Sequence, residues 1–566
     1  MFTFALLAAL AVLEGCLALG GTLRYIRPPV RSLTQRSALE SIEESAVITV
    51  GNNTSTSPNA AIVPLVYSQV DQTYFSVISV GNTSFRIALD TASADLWLIS
   101  SQCKDSACNV PKYQLGYESP TFVGVNNNQT LFNVSFADDT SAAGFVALES
   151  IQVSNLTVAQ QPLGIVNSST VVFQDDVSGV LGLGFPRLSR IFGSLPNGTG
   201  TPFLATVAQR GQLAYPLFGL SLTLNSSGSL TLVVSNISLI HWTEVVPFAP
   251  LLGSAGNTSS YLQWAIPLSG IQVNGTALTP QPTYPDATSN TSLALFDVGT
   301  PGIFGPYQDV ARIYSTIAGS RLVDSTGQWV VPCDVNETIS FQFGHQTFQL
   351  QPTDYLIGPT SSTPDLCLSW PKASPPSSDG LDWQFGAAFL RTVYSVYSYG
   401  IDRKEPPMIG LYPLRNASAP VQSPDVVESF FSSASATVTT DLPNFLLPTP
   451  SISPPAYIFN ASISAPQGKV VSYGLATSTY VPALETNHVN QTAIPTVTPS
   501  PTVLTFIITT NGELITSISS APTPSLGLPP GWTSSAARST SDVPAAMMMA
   551  AGVITVSTIL TRLFYC

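Results

Sequence analysis

The sequence predicts an all-β protein whose two halves carry similar strand-and-turn motifs, followed by an extended tail. Three observations lead there. Between residues 62 and 414, short runs rich in Val, Ile, Thr, Phe and Tyr alternate with Gly, Asn, Ser and Pro. Helical periodicity is scarce in that region, Gln308–Ile317 being one good candidate. Two apolar strands, one in each half, end in an Asp that enters a turn of small residues.

Residues 1–20 read as a secretory signal peptide. Phe4–Leu13 is an apolar core too short to span a bilayer with ease, and the small residues Ala18 and Gly20 sit two apart, as a signal peptidase requires. No Lys or Arg precedes this core, which departs from the usual pattern. Residues 21–61 are polar and hold Arg24, Arg27, Arg31 and Arg36, then Glu40, Glu43 and Glu44. Two readings stay open for this arm: a pro-segment lying over an acidic cleft, or an exposed flexible segment.

Strand candidates in the β region include Tyr74–Val80, Phe85–Leu89, Leu230–Ser235 and Val393–Tyr399. From 416 to 542 the chain turns rich in Ser, Thr, Pro and Ala. Stretches such as Pro448–Pro455 and Pro495–Pro501 cannot pack a core and read as a disordered, O-glycosylated stalk. Val503–Thr509 is apolar enough for a strand, so a small ordered unit stays open there. Residues 543–566 form a hydrophobic tail. Ser535, Ala536 and Ala537 followed by a spacer and an apolar end form the signal for a glycosylphosphatidylinositol anchor, with lipid joined at or near Ser535. A short transmembrane helix is the alternative.

Only 9% of residues are charged, 44% are apolar, and the formal net charge is -13. With no Lys/Arg run to neutralise phosphates, a nucleic-acid partner is excluded. Secretion predicts N-linked glycans, and N-x-[ST] acceptors recur at Asn82, Asn128, Asn133, Asn155, Asn197, Asn236, Asn274, Asn336 and Asn416. Of six cysteines, Cys16 leaves with the leader and Cys566 ends the chain. The remaining Cys103, Cys108, Cys333 and Cys367 allow three pairings, of which nearest neighbours in sequence is the simplest. A metal site is disfavoured by the three His of the chain and the lack of C-x-x-C.

The chemistry is carried by carboxylates. Peptide hydrolysis by a carboxyl pair needs one ionised group to take a proton from water and one protonated group to donate to the carbonyl oxygen. Two carboxyls held about 3 Å apart meet both needs, because like charges so close cannot both ionise. Asp90 follows Ile87-Ala88-Leu89 and enters Thr91-Ala92-Ser93; Asp297 follows Ala294-Leu295-Phe296 and enters Val298-Gly299-Thr300. Either motif alone is an ordinary turn; the repetition is what points to a pair.

ALDTASADLWLIS at 88–100, with Trp97, resembles the first active-site motif of pepsin-like aspartic proteases, and LFDVGTPGIFGP at 295–306 resembles the second. GVLGLGFPRLS at 179–189 is similar to the family's apolar-apolar-Gly element, and WQFGAAFLRTVYSVY at 383–397 to its C-lobe counterpart. The resemblance, of the secreted, anchored fungal type, spans about Tyr74 to Leu414. It implies an N-terminal β-lobe over 62–235 and a C-terminal β-lobe over 236–415, related by a pseudo-two-fold axis with a cleft between them. Asp90 and Asp297 are then the catalytic pair at the cleft floor, supported by Thr91, Ser93, Gly299 and Thr300. A hairpin flap carries Phe136, Asp138 and Asp139. Disulfides Cys103–Cys108 and Cys333–Cys367 fall where the family places two. No metal or organic cofactor is implied. The expected partners are polypeptide substrates cut at acidic pH by a monomer held at the cell surface through its lipid.

Three departures bear on activity. Ala92 replaces a usual Gly, which is tolerated if its φ is negative. Val298 replaces the Thr or Ser whose hydroxyl braces the other lobe; Thr91 can still do so from its side. Phe136 replaces the flap Tyr, keeping the ring and losing the phenol. A catalytically impaired surface glycoprotein that binds peptide or wall polymer is therefore the alternative. A glycosidase needs paired acids about 5–9 Å apart rather than in contact, and no G-x-S-x-G or recognisable His context supports a serine hydrolase.

Overall fold

In the strand Thr83–Asp90, every second side chain turns inward, so Phe85, Ile87 and Leu89 are buried while Arg86 lies at the surface side of the sheet. The strand pairs antiparallel with Tyr74–Val80 through the two-residue turn Gly81–Asn82. Gly81 takes a φ of +57°, and a Cβ there would meet Glu149 Oε2 at 2.9 Å, so the turn admits glycine for both backbone and space. The computed structural model describes residues 62–196 and 261–401 throughout, most of 199–245 and 404–457, and short stretches between 480 and 532. The leader, the Arg-bearing arm, the apolar tail, Ser535 and the lobe boundary at 235/236 lie outside the described residues.

The protein is mostly β, with few helices, in two lobes. In the N-lobe, Val177–Gly182 lies between two strands, parallel to Thr83–Asp90 and antiparallel to Leu96–Ile99. The C-lobe repeats this: Trp383–Phe385 runs parallel to Ser292–Phe296 and antiparallel to Ile303–Pro306. In both lobes a strand that delivers an Asp and the strand that leaves it are thus held apart by a third. This internal repeat is the origin of the pseudo-two-fold symmetry.

A shared sheet joins the lobes. Leu217–Leu222 pairs with Gly228–Thr231 on one side and Val393–Ser398 on the other. Below the cleft the core is aromatic: the Phe185 and Trp264 rings lie 4.2 Å apart, tilted by 37°, while Trp264 Nε1 and Tyr399 Oη both donate to the carbonyl of Leu183, at 3.1 and 2.9 Å. Each such fully buried large side chain contributes on the order of 1.5–3 kcal/mol by leaving water, and here two lobes share the same rings. The helix expected at 308–317 spans Tyr307–Ser315 and buries Val310, Ile313 and Tyr314. The cysteines pair as Cys103–Cys108 and Cys333–Cys367.

Within the range read as a stalk, the described residues include packed pieces. Helix Pro424–Ala434 buries Val427 and Phe431, four apart and so on one face. Tyr480 Oη donates to the Leu213 carbonyl at 2.6 Å, and the Trp532 ring lies edge-on to Tyr117 at 6.1 Å. Phe506–Thr510 and Glu513–Ser517 form a hairpin where a strand was expected over 503–509. No helix among the described residues is long and apolar enough to cross a membrane.

Candidate active site

Asp90 is the last residue of its strand and pairs in register with Gly182 of the intervening strand. The turn after it supplies its ligands. The Ala92 N–H donates to Asp90 Oδ1 at 2.8 Å, and the Ser93 hydroxyl donates to Oδ2 at 2.5 Å. Ala92 is not among the residues with positive φ, so its methyl costs no left-handed strain, and it keeps the N–H that the carboxylate needs.

Asp297 is built the same way. Its own N–H donates to the Phe385 carbonyl at 2.9 Å, which fixes the backbone. The Gly299 N–H donates to Oδ1 at 2.9 Å, and the Thr300 hydroxyl to Oδ2 at 2.6 Å. A further donor comes from outside the turn: Gln384 Nε2 lies 2.8 Å from Asp297 Oδ2 and 2.7 Å from Thr300 Oγ1.

The two aspartates meet over Gly299. A Cβ on that residue would lie 3.1 Å from Asp90 Oδ1 and 3.2 Å from Asp297 Oδ1. Absence of a side chain there lets both carboxyls close on one point. Burial first, and then the charge of Asp297, push the Asp90 carboxyl up from its ordinary value to about 7. The arrangement therefore stores a proton between two acids, as a carboxyl pair must.

The loops are braced from one side. Thr91 Oγ1 donates to the Phe296 carbonyl at 2.9 Å and accepts from the Val298 N–H at 3.0 Å. Both bonds cross between lobes, and both are buried. Val298 is fully buried and has no hydroxyl to return them.

The hairpin Leu131–Ser135/Ser141–Val153 closes its tip with the Phe136 N–H donating to the Thr140 carbonyl at 2.9 Å. The Phe136 ring lies 6.3 Å from that of Trp97, which also meets Phe173 at 5.6 Å. Asp138 and Asp139 are exposed at the tip. Asp138 Oδ1 accepts from the N–H and hydroxyl of Thr140, at 3.0 and 2.6 Å, and Asp139 takes a φ of +65°. Both acids shape the turn. The disulfide cysteines stand outside the Asp90–Asp297 hydrogen-bond network.

Two functional neighbours escaped the sequence reading. Gln384 is one. Asp95 is the other: it is buried, its Oδ1 accepts from the Ser189 hydroxyl at 2.5 Å, and its Oδ2 accepts from the Arg190 N–H at 2.7 Å. Burial raises the Asp95 carboxyl to about 6 despite these donors. A signal existed for both, since each is a polar residue inside an otherwise apolar motif (ADLWL and WQF).

Comparison with known proteins agrees with this geometry. The profile of the eukaryotic aspartyl protease family matches residues 73–405. An aspartic protease of Phaffia rhodozyma is 31% identical over 331 residues, covering 57% of this chain and 73% of that protein. Major aspartyl peptidase 1 of Cryptococcus neoformans var. grubii is 26% identical over 347 residues, covering 58% and 67%. Mouse cathepsin E is 26% identical over 347 residues, covering 60% and 80%. With the match extending over more than half its length, the chain belongs to the pepsin-like eukaryotic aspartyl protease family.

Proposed function

We propose that this protein is an active aspartic endopeptidase, with Asp90 and Asp297 as its catalytic residues. The observation that carries the reading is the convergence of two carboxyls over Gly299, Asp297 buried and Asp90 partly buried, with the Asp90 carboxyl raised far enough to keep its proton in acid. A water held between them loses a proton to the ionised carboxylate as its oxygen attacks the scissile carbonyl. The protonated carboxyl gives its proton to the carbonyl oxygen. When the tetrahedral intermediate collapses, the proton gained from water passes to the departing amine. Ala92, Ser93, Gly299 and Thr300 hold the two carboxyls, and Thr91 braces the loops that carry them. Phe136 and Trp97 supply apolar cover above the substrate.

The raised Asp90 carboxyl sets the direction of the pH dependence. Its proton is in place below about pH 7 and is lost as pH rises through that range, so cleavage belongs to acid. The substrates are polypeptides. The leader, the abundant acceptor asparagines and the anchor signal at Ser535 support a glycosylated enzyme at the cell surface, and phospholipase treatment should release it from intact cells. The six acceptors Asn82, Asn128, Asn133, Asn155, Asn274 and Asn336 are all exposed, as glycan attachment needs.

The test is cleavage of denatured globin at roughly pH 3–5, the range in which such a pair shares one proton, with and without pepstatin. Pepstatin-sensitive cleavage that vanishes in Asp90→Asn and in Asp297→Asn is expected. Full activity in either variant would contradict the assignment. The one-sided Thr91 brace and the missing phenol at Phe136 favour a second reading, a non-catalytic glycoprotein that uses the cleft to bind peptide or wall polymer. Absence of cleavage by the folded chain after removal of residues 21–61 would support it.

A further inference from the structure

Beyond the Thr91/Val298 brace, the two halves of the site differ in the strand that lies between the acid-bearing strand and the one that leaves it. The intervening strand of the N-lobe places Val180 beside Ala88 and Leu181 beside Leu89, and that of the C-lobe places Gln384 beside Leu295 and Phe385 beside Phe296. Val180 and Gln384 each stand two residues before the glycine that closes the element, Gly182 and Gly386. Val180 is buried among Trp97, Phe132 and Val166. Gln384 is only partly buried and directs its amide to Asp297.

The amide orientation follows from its neighbours. Thr300 Oγ1 donates its proton to Asp297 Oδ2, so it has lone pairs free to accept. Both atoms that Gln384 faces are therefore acceptors, and only Nε2 can face them. Three groups close a ring in which every proton has a direction.

The donor count then differs between the acids. Ala92 N–H and Ser93 O–H serve Asp90. Their counterparts Gly299 N–H and Thr300 O–H serve Asp297, and Gln384 adds a third donor. Donors to a carboxylate stabilise the ionised form. Titratable side chains that bear on Asp297 include Asp90, across the cleft, and Tyr397, whose phenol burial keeps neutral.

We propose that Gln384 is a positioning residue that breaks the symmetry of the pair, holding Asp297 as the carboxylate and leaving the shared proton on Asp90. In the hydrolysis proposed above, on which only this consequence rests, Asp297 then takes the proton from water and Asp90 protonates the carbonyl oxygen. The proton's address is a property of the resting protein.

The experiment is a carboxyl titration by NMR of the full chain labelled with 13C at the aspartate side-chain carboxyl. Asp90→Asn and Asp297→Asn assign the two resonances. In the wild type, Asp297 ionises in the first of the two steps of the pair. In Gln384→Leu and Gln384→Met, that midpoint rises by about one to two pH units, the effect of one donor to a charged group. An Asp297 midpoint that stays put in either folded variant overturns the proposal, and so does a wild type in which Asp90 ionises first. If neither variant folds, the wild-type order alone decides. A globin assay on the same samples keeps the readings apart. A wild type that does not cleave refutes the protease while the titration still judges Gln384. In an active enzyme the acid limb of kcat/KM moves up with the Gln384 variants, whereas a mere packing role lowers kcat at every pH and leaves the limb in place.

Discussion

Replacing Asp95 by Asn removes a charge from the buried turn behind Asp90 while keeping the shape of its contacts. The Asn carbonyl oxygen can accept from the Arg190 N–H, and its amide can donate to Ser189 Oγ, which in the wild type donates to Asp95 at 2.5 Å and accepts from the Phe192 N–H at 2.8 Å. Asp95 titrates near 6 in the folded protein, against an ordinary 3.8. Because the folded value is raised, the carboxyl adds stability below about pH 4, where it is protonated in both states. That contribution is lost as pH rises through about 6. At 1.36 kcal/mol per pH unit, the loss is about 3 kcal/mol. Unfolding roughly 350 ordered residues releases about 0.7 kcal/mol per kelvin of entropy, so the wild type should lose about 4 °C of Tm from this group between pH 4 and 7. The assay is scanning calorimetry at matched scan rate from pH 3 to pH 7. Asp95→Asn should track the wild type near pH 3 and pull ahead by about 4 °C near pH 7. Two curves that run parallel over the whole range would refute the reasoning, because the buried charge would then carry no pH-dependent cost.

Two further substitutions probe the cleft. Gly299→Ala places a methyl about 3 Å from both Oδ1 atoms, closer than ordinary van der Waals contact, so the carboxyls must part. Globin cleavage should drop at least about 100-fold, since misplacement by about 1 Å costs that much, with the circular dichroism spectrum unchanged; wild-type activity would mean that the pair does not close over Gly299. Phe136→Tyr adds a phenol at the flap tip beside Trp97 and should raise kcat by up to about 10-fold, the lower range for a positioning hydrogen bond; a fall in kcat would mean that the flap has been rebuilt around phenylalanine.

Much of the site was legible because its parts are local. An apolar strand with alternating burial, an acid at its end and small residues after it are enough to predict a carboxylate held by its own turn, and Ala92, Ser93, Gly299 and Thr300 occupy those places. The one-sided brace was also readable, since a valine has no proton to give. Gln384 was not. Its strand lies 87 residues from Asp297 in the chain, and its meaning appears only when parallel pairing sets Gln384 beside Leu295. Asp95 reads as one more polar turn residue until Ser189 and Arg190, 94 and 95 residues on, close over it. In the Ser/Thr/Pro-rich range, composition averages hide single anchors: Tyr480 and Trp532 are isolated aromatics, and only their contacts with Leu213 and Tyr117 reveal them.

Composition, periodicity and the repeated Asp-turn motif by themselves determined the all-β class and the candidate pair, because each depends on neighbours along the chain; the three departures around the pair were legible only against the family resemblance. Tertiary structure alone decided how the acids meet and which donors reach them. Burial, the opposing charge and the number of donors reaching each oxygen are properties of space, and they come from segments that no local window contains.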